Sequence, residues 1–185
     1  MKWDMNALDW RALFGQMHPD FFATEHIRAL REDGRWDEMA LDLRGFSPQA
    51  LEIPVPGGVT FGFWTGDAQA LRAVVRRVDT GWPELFGGEQ PAYCAFVDGR
   101  VAAFCLVEDM CTFQGLRVGG PGCVGTLPEF RRQGIGLKMV QNATALLRDR
   151  GFDLSYIHYT GVAPWYAKLG YRTILRWSSK GILGE

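Results

Sequence analysis

The stretch PAYCAFVDGRVAAFCLV, residues 91–107, constrains the fold of this chain more than any other. Two strand-like apolar runs flank Asp98-Gly99, a dipeptide that accepts the positive φ required by a two-residue hairpin turn. Around this hairpin, segments of strand and helix character alternate. VTFGFWT reads as a strand, and AQALRAVVRRV as an amphipathic helix capped by Asp67. WPELFGG is a short turn or helix. GPGCVGTL is a strand whose three glycines suggest a bulge or close approach by another group. From Gly134 to Arg150 the spacing predicts a helix, with Ile135, Met139, Val140, Ala143, Leu146 and Leu147 on one face and Gly151 as its stop. DLSYIHYT follows as a strand, APWYAKLG as a short helix ended by Gly170, and YRTILRW as a last strand. Such an order predicts an α/β (α+β) sandwich with helices on both faces of one sheet.

Residues 1–56 differ in character. WRALFGQ, TEHIRALRED and WDEMALDL space their apolar residues as helices do, and Pro54, Pro56, Gly57 and Gly58 then mark a break. Two units are therefore expected, an N-terminal helical extension over 1–56 and a main domain over 57–185.

Composition narrows the function. A net charge of −1 argues against a nucleic-acid partner, because neutralising phosphates needs a basic face. No apolar run approaches the ~20 residues of a membrane span, and an acid interrupts MKWDMNALDW where a signal peptide would be apolar. The four cysteines show no CxxC spacing, and Cys94, Cys105 and Cys123 sit in strand-like apolar runs. A reduced, cytoplasmic setting is expected. His18 and His26 lack metal-ligand spacing with the cysteines, so no metal is expected; Pro19-Asp20 in FGQMHPDFF reads as a turn and cap.

Gly120 to Gly125 spells G-x-G-x-x-G, but Leu127-Pro128 follows where a dinucleotide fold would open a helix. RRQGIGLKMV, residues 131–140, is more informative. Arginines at a helix start face the positive end of its dipole, and glycines there weaken the helix. These choices become sensible if a polyanion binds the free N–H groups of the helix N-terminus. An ordinary strand–helix turn with exposed arginines is the alternative reading of the stretch alone.

Arg131-x-x-Gly134-x-Gly136 after a glycine-rich strand resembles the acetyl-CoA signature of the GNAT superfamily of N-acetyltransferases. About thirty residues on, PWYAKLGY resembles that family's aromatic-Tyr-x-x-x-Gly-aromatic segment. The resemblance covers about Val59 to Trp177. It implies a mixed, mostly antiparallel central sheet, splayed into a V between the signature strand and the next, with acetyl-CoA as co-substrate and no metal.

The resemblance also implies roles. Val124, Gly125, Thr126 and Leu127 would offer backbone groups to the pantetheine arm, with the N–H near Val124 polarising the thioester carbonyl. Arg131, Arg132, Gln133, Gly134, Ile135, Gly136 and Leu137 would wrap the pyrophosphate, the glycines admitting close approach. Tyr166 matches the tyrosine that protonates the departing thiolate; core packing is its alternative role.

Two departures stand out. Tyr159 and Thr160 stand where many relatives carry a CoA-contacting asparagine, and the signature strand has no glutamate to act as base. Glu108, Asp109 and His158 are the substitutes within reach of the groove, each also readable as solvated or structural, and water-relayed deprotonation is a further route. The expected activity is acetyl transfer from acetyl-CoA to the primary amine of a small molecule or peptide, by direct attack in a ternary complex. Cys123 leaves a covalent route open. A non-catalytic acyl-CoA sensor is the rival reading. Trp82, Phe86 and Glu84 are candidates for the acceptor wall, and a homodimer is among the assemblies open to the chain.

Overall fold

The hairpin turns where the sequence places it. Asp98 and Gly99 adopt φ of 50° and 74°, joining β3 (Ala92–Val97) to β4 (Arg100–Phe113) in this computed structural model, which describes residues 3–184. A second such turn, Gln114-Gly115 with φ of 51° and 82°, joins β4 to β5 (Leu116–Thr126). β4 is therefore longer than its apolar run, because its outer half carries the polar residues Glu108, Asp109 and Thr112.

The remaining strands are β1 (Trp36–Asp42), β2 (Val59–Phe63), β6 (Leu154–Thr160), β7 (Arg172–Ser178) and β8 (Gly181–Gly184). Together they form one eight-stranded sheet in the order β2-β3-β4-β5-β6-β1-β7-β8. Every pairing is antiparallel except β5 with β6. That parallel pairing holds only at Val118 with Leu154 and Gly119 with Ser155. Gly120 still lies against the Tyr156 carbonyl, and no further β5–β6 pairing follows, as the expected V requires.

Side-chain alternation along β4 sorts the layers. Ala103, Cys105 and Val107 pack with α4 (Ile135–Asp149), whose apolar stripe Ile135, Met139, Val140, Ala143 and Leu147 is buried. Phe104 and Leu106 face the other way, against Leu71 and Val75 of α3 (Ala68–Arg76). Asp67 caps α3 by accepting the N–H of Ala70 at 2.9 Å. Further along that second face Met110 joins α1 (Trp10–Met17), whose Leu13 and Phe14 are buried. The short helices α2 (Glu25–Arg28) and α5 (Ala163–Ala167) complete the set.

The expectation of a wholly helical extension over 1–56 needs correction. Trp10–Met17 and Glu25–Arg28 are helical, but WDEMALDL is β1, hydrogen-bonded between β6 and β7 inside the sheet. Its apolar residues fall at helical spacing because the strand is irregular. Register shifts at Met39 against both neighbours, and residues 37–40 are all buried, so strict alternation is lost. Ile53 also belongs to the core beneath α4, which ties the segment before the Pro-Gly break to the main layers.

Candidate active site

The signature strand carries a bulge. Opposite it on β4, the register jumps between Phe104 and Leu106, and Cys123 sits at φ 47°. On the β6 side, the ladder of β5 ends at Gly119, before the bulge. The chain then makes a 3-10 turn at Pro128–Phe130 and enters α4 through Arg132 (φ 62°) and Gly134 (φ 77°). No side chain caps α4, so its first N–H groups stay open.

A cavity of about 640 Å³ lies at this helix start. Its lining runs from Val78, on the α3 side of the sheet, past Val124–Thr126 and the α4 N-terminus to Trp165 and Tyr166 on α5. Of the residues expected to hold the donor, Leu127 and Gln133 are outside that lining. Leu127 is buried in the core, and the Gln133 amide donates to the Glu129 carbonyl at 3.2 Å. Arg131 lines the cavity, but its Nε donates to the Thr126 carbonyl at 3.0 Å and so ties the loop to the strand end. Phe130, Val162 and Lys168 line it as well, without an individual signal in the sequence.

The glycines serve the fold first. A Cβ on Gly134 would collide with the Pro54 carbonyl, and one on Gly136 with Thr126 Oγ1. The room they leave is taken by the protein itself, rather than held open for a ligand. Gly134 is further required by its positive φ.

Tyr166 is 6 % exposed, packed edge-on against Trp165 and Tyr171, and its hydroxyl has no hydrogen-bond partner among the described residues. Burial pushes its phenol well above the usual range, with Tyr171 adding to the effect. The group therefore holds its proton at neutral pH. Burial likewise pushes the Cys123 thiol up to about 12, reinforced by Glu108.

Glu108 and His158 lie on the face opposite α4. Glu108 follows Phe104 and Leu106 in the alternation, its carboxylate crosses β5 where a Cβ at 122 would stand, and burial raises its pKa. Asp109 points away and pairs with Arg117 at 3.0 Å in solvent, so it does not join the groove. His158 is held by Glu38, whose Oε2 lies 2.9 Å from Nδ1, and the His18 ring stacks on it at 3.8 Å. Neither Glu38 nor His18 carries a motif. Both reach the site through long-range packing.

Residues 89–173 match the family model described as the acetyltransferase (GNAT) domain. This stretch, 85 of the 185 residues, is similar to that domain. The fold of the chain is shared with solved GCN5-related N-acetyltransferases. The glucosamine N-acetyltransferase region of a fungal multi-domain GH3 β-N-acetylglucosaminidase superposes with a TM-score of 0.66 and 24% identity, over 91% of this chain and 22% of that one. The GCN5-related N-acetyltransferase from Kribbella flavida gives 0.54 and 24%, over 76% and 55%. The one from Sphaerobacter thermophilus gives 0.56 and 21%, over 79% and 50%. The chain thus spans at most about half the length of these proteins, and the likeness is one of fold. No curated protein sequence matches it significantly. Among the described residues no helix is long and apolar enough to cross a membrane.

Within this fold, the helix-start end of the cavity and the Glu108 carboxylate lie on two sides of the sheet. Backbone N–H groups that converge at an uncapped helix start favour an anion. A phenol with its proton stands at the far end of the same cavity, and groups able to take a proton stand on the opposite face.

Proposed function

We propose that this chain transfers the acetyl group of acetyl-CoA to a primary amine, by direct attack in a ternary complex. The observation that carries this reading is one continuous cavity, which joins the uncapped N-terminus of α4 to the unpartnered Tyr166 hydroxyl. The pyrophosphate would rest on the N–H groups of residues 134–137, with Arg132 and Lys168 supplying charge. Pantetheine would follow the unpaired edge of β5, and the N–H near Val124 would donate to the thioester carbonyl as it becomes an oxyanion.

The neutral amine attacks the carbonyl carbon, forming a C–N bond and a tetrahedral centre. Collapse breaks the C–S bond, and the thiolate takes the Tyr166 proton. The amine's extra proton leaves toward the face that holds Glu108 and His158. Direct attack is favoured over an acetyl-cysteine intermediate because a thiol pushed up to about 12 is a poor nucleophile at neutral pH. The amine would approach between α3 and α1.

The test is CoA thiol release from acetyl-CoA by the full chain, with a panel of an amino sugar, a polyamine, an aminoglycoside and a peptide α-amine. Amine-dependent release is the expected result. Acetyl-CoA binding with no release for any amine would contradict the reading and leave an acyl-CoA-binding module.

A further inference from the structure

Glu38 is a fully buried carboxylate in the middle of the sheet, with no lysine or arginine within ion-pair distance among the described residues. A buried carboxylate survives only where hydrogen bonds replace its water. Glu38 Oε1 accepts the Trp177 indole N–H at 2.7 Å and the Tyr159 backbone N–H at 3.1 Å. Oε2 accepts His158 Nδ1–H at 2.9 Å. The Tyr159 contact is made at the cost of φ 55°, a left-handed conformation that a tyrosine holds only where its surroundings enforce it. Those surroundings are the rings of Phe21, Trp36 and Trp177.

We propose that Glu38 is a positioning residue that fixes His158 as the Nδ1–H tautomer, so that Nε2 takes the proton of the acceptor amine. The proposal rests on the acetyl-transfer reading above and names the base that reading leaves open. A neutral imidazole that donates from Nδ1 has its lone pair on Nε2. The His158 side chain is 28% exposed while Glu38, which holds its Nδ1, is 0% exposed, so the proposal assigns the accessible edge of the ring to Nε2. His158 also shares its face with Glu108, and the two groups interact electrostatically. As the C–N bond forms, the amine N–H proton moves to Nε2. The resulting imidazolium keeps its Nδ1–H on Glu38 and then releases the new proton to solvent.

Ligand atoms of His18, Glu38 and His158 lie within 4.8 Å of one another, which raises the question of an ion. The ring geometry speaks against one. Imidazole lone pairs lie in the ring plane, and rings stacked at 3.8 Å with 17° between planes point theirs side by side. Glu38 Oε1 is moreover already occupied twice. His18 acts instead as an apolar cover on the His158 ring.

Glu38→Gln tests the proposal. The glutamine can still accept from Trp177 and Tyr159, but its NH₂ faces His158 and forces the proton onto Nε2. Long-range ¹H–¹⁵N spectra should show His158 as Nδ1–H in the wild type and Nε2–H in the variant. Single-turnover acetyl transfer should fall by about 100-fold with acetyl-CoA affinity unchanged. His158→Gln, altered at an exposed edge, should lose the same factor, and the double variant should be no slower than His158→Gln. A flipped tautomer with wild-type turnover would overturn the proposal, as would an undiminished rate in His158→Gln. Stoichiometric Zn²⁺ uptake by the wild type, lost in both variants, would replace it with a metal centre. If the wild type itself acetylates no amine, the acetyl-transfer reading fails and the proposal with it.

Discussion

The two sides of the split sheet are built from different materials. On the α4 side, a short stretch of chain between residues 124 and 137 supplies most of the cavity lining, joined by Val78 and by residues 162–168 around α5. On the α1 side, the groups come from residues 18, 38, 108 and 158, each on a different element, and they act through side chains. Anion binding needs open N–H groups and a helix start, which one contiguous loop can supply. Proton handling needs a buried charge held by neighbours from distant strands, which only the completed sheet supplies. Under the proposed reading, the comparison teaches that the donor half of such a site is a property of local sequence and the acceptor half a property of register.

The largest effect expected from breaking this contrast is at Gly134. A valine there must adopt φ near 77° and meet the Pro54 carbonyl, so the loop should lose about 3 kcal/mol of stability. Chemical denaturation of Gly134→Val should show that loss together with weaker acetyl-CoA binding. Lost affinity at wild-type stability would mean that the glycine makes room for the ligand rather than for Pro54.

A smaller effect sharpens the other half. Burial first, and then His158, lower the pKa of His18 from 6.5 to about 4. The unfolded chain therefore binds a proton that the folded chain refuses between those values. Stability present above pH 6.5 is lost as pH falls through that window. Because His18 is only partly buried, the loss attributable to it is about 1–2 kcal/mol. Urea unfolding at about pH 7 and pH 4.5 should show a smaller acid penalty in His18→Leu than in the wild type. Glu108, whose raised pKa acts with the opposite sign, is common to both proteins and cancels in the difference. Equal penalties would place His18 in contact with water.

What the sequence disclosed follows the same division. Asp98-Gly99, the stripe of α4 and the glycine-rich strand are local patterns, and each forms the element expected of it, while Tyr166, on its short helix, lines the cavity. β1 was hidden because burial on both faces and a register shift at Met39 gave it helical spacing. With β1 hidden, Glu38 had no visible partner, and His158 was one candidate among several. Gly134 and Gly136 were legible as necessary, but not their reason, since the Pro54 carbonyl and Thr126 Oγ1 come from other elements.

The central claim is that one cavity joins the anion site of α4 to the proton donor Tyr166. Tyr166→Phe keeps the ring packed against Trp165 and Tyr171 and removes only the hydroxyl. Single-turnover acetyl transfer at saturating acetyl-CoA, with the best amine of the panel, compares the two proteins directly. The account predicts a fall of about 100-fold with acetyl-CoA affinity nearly unchanged. Equal rates in the two proteins would contradict it.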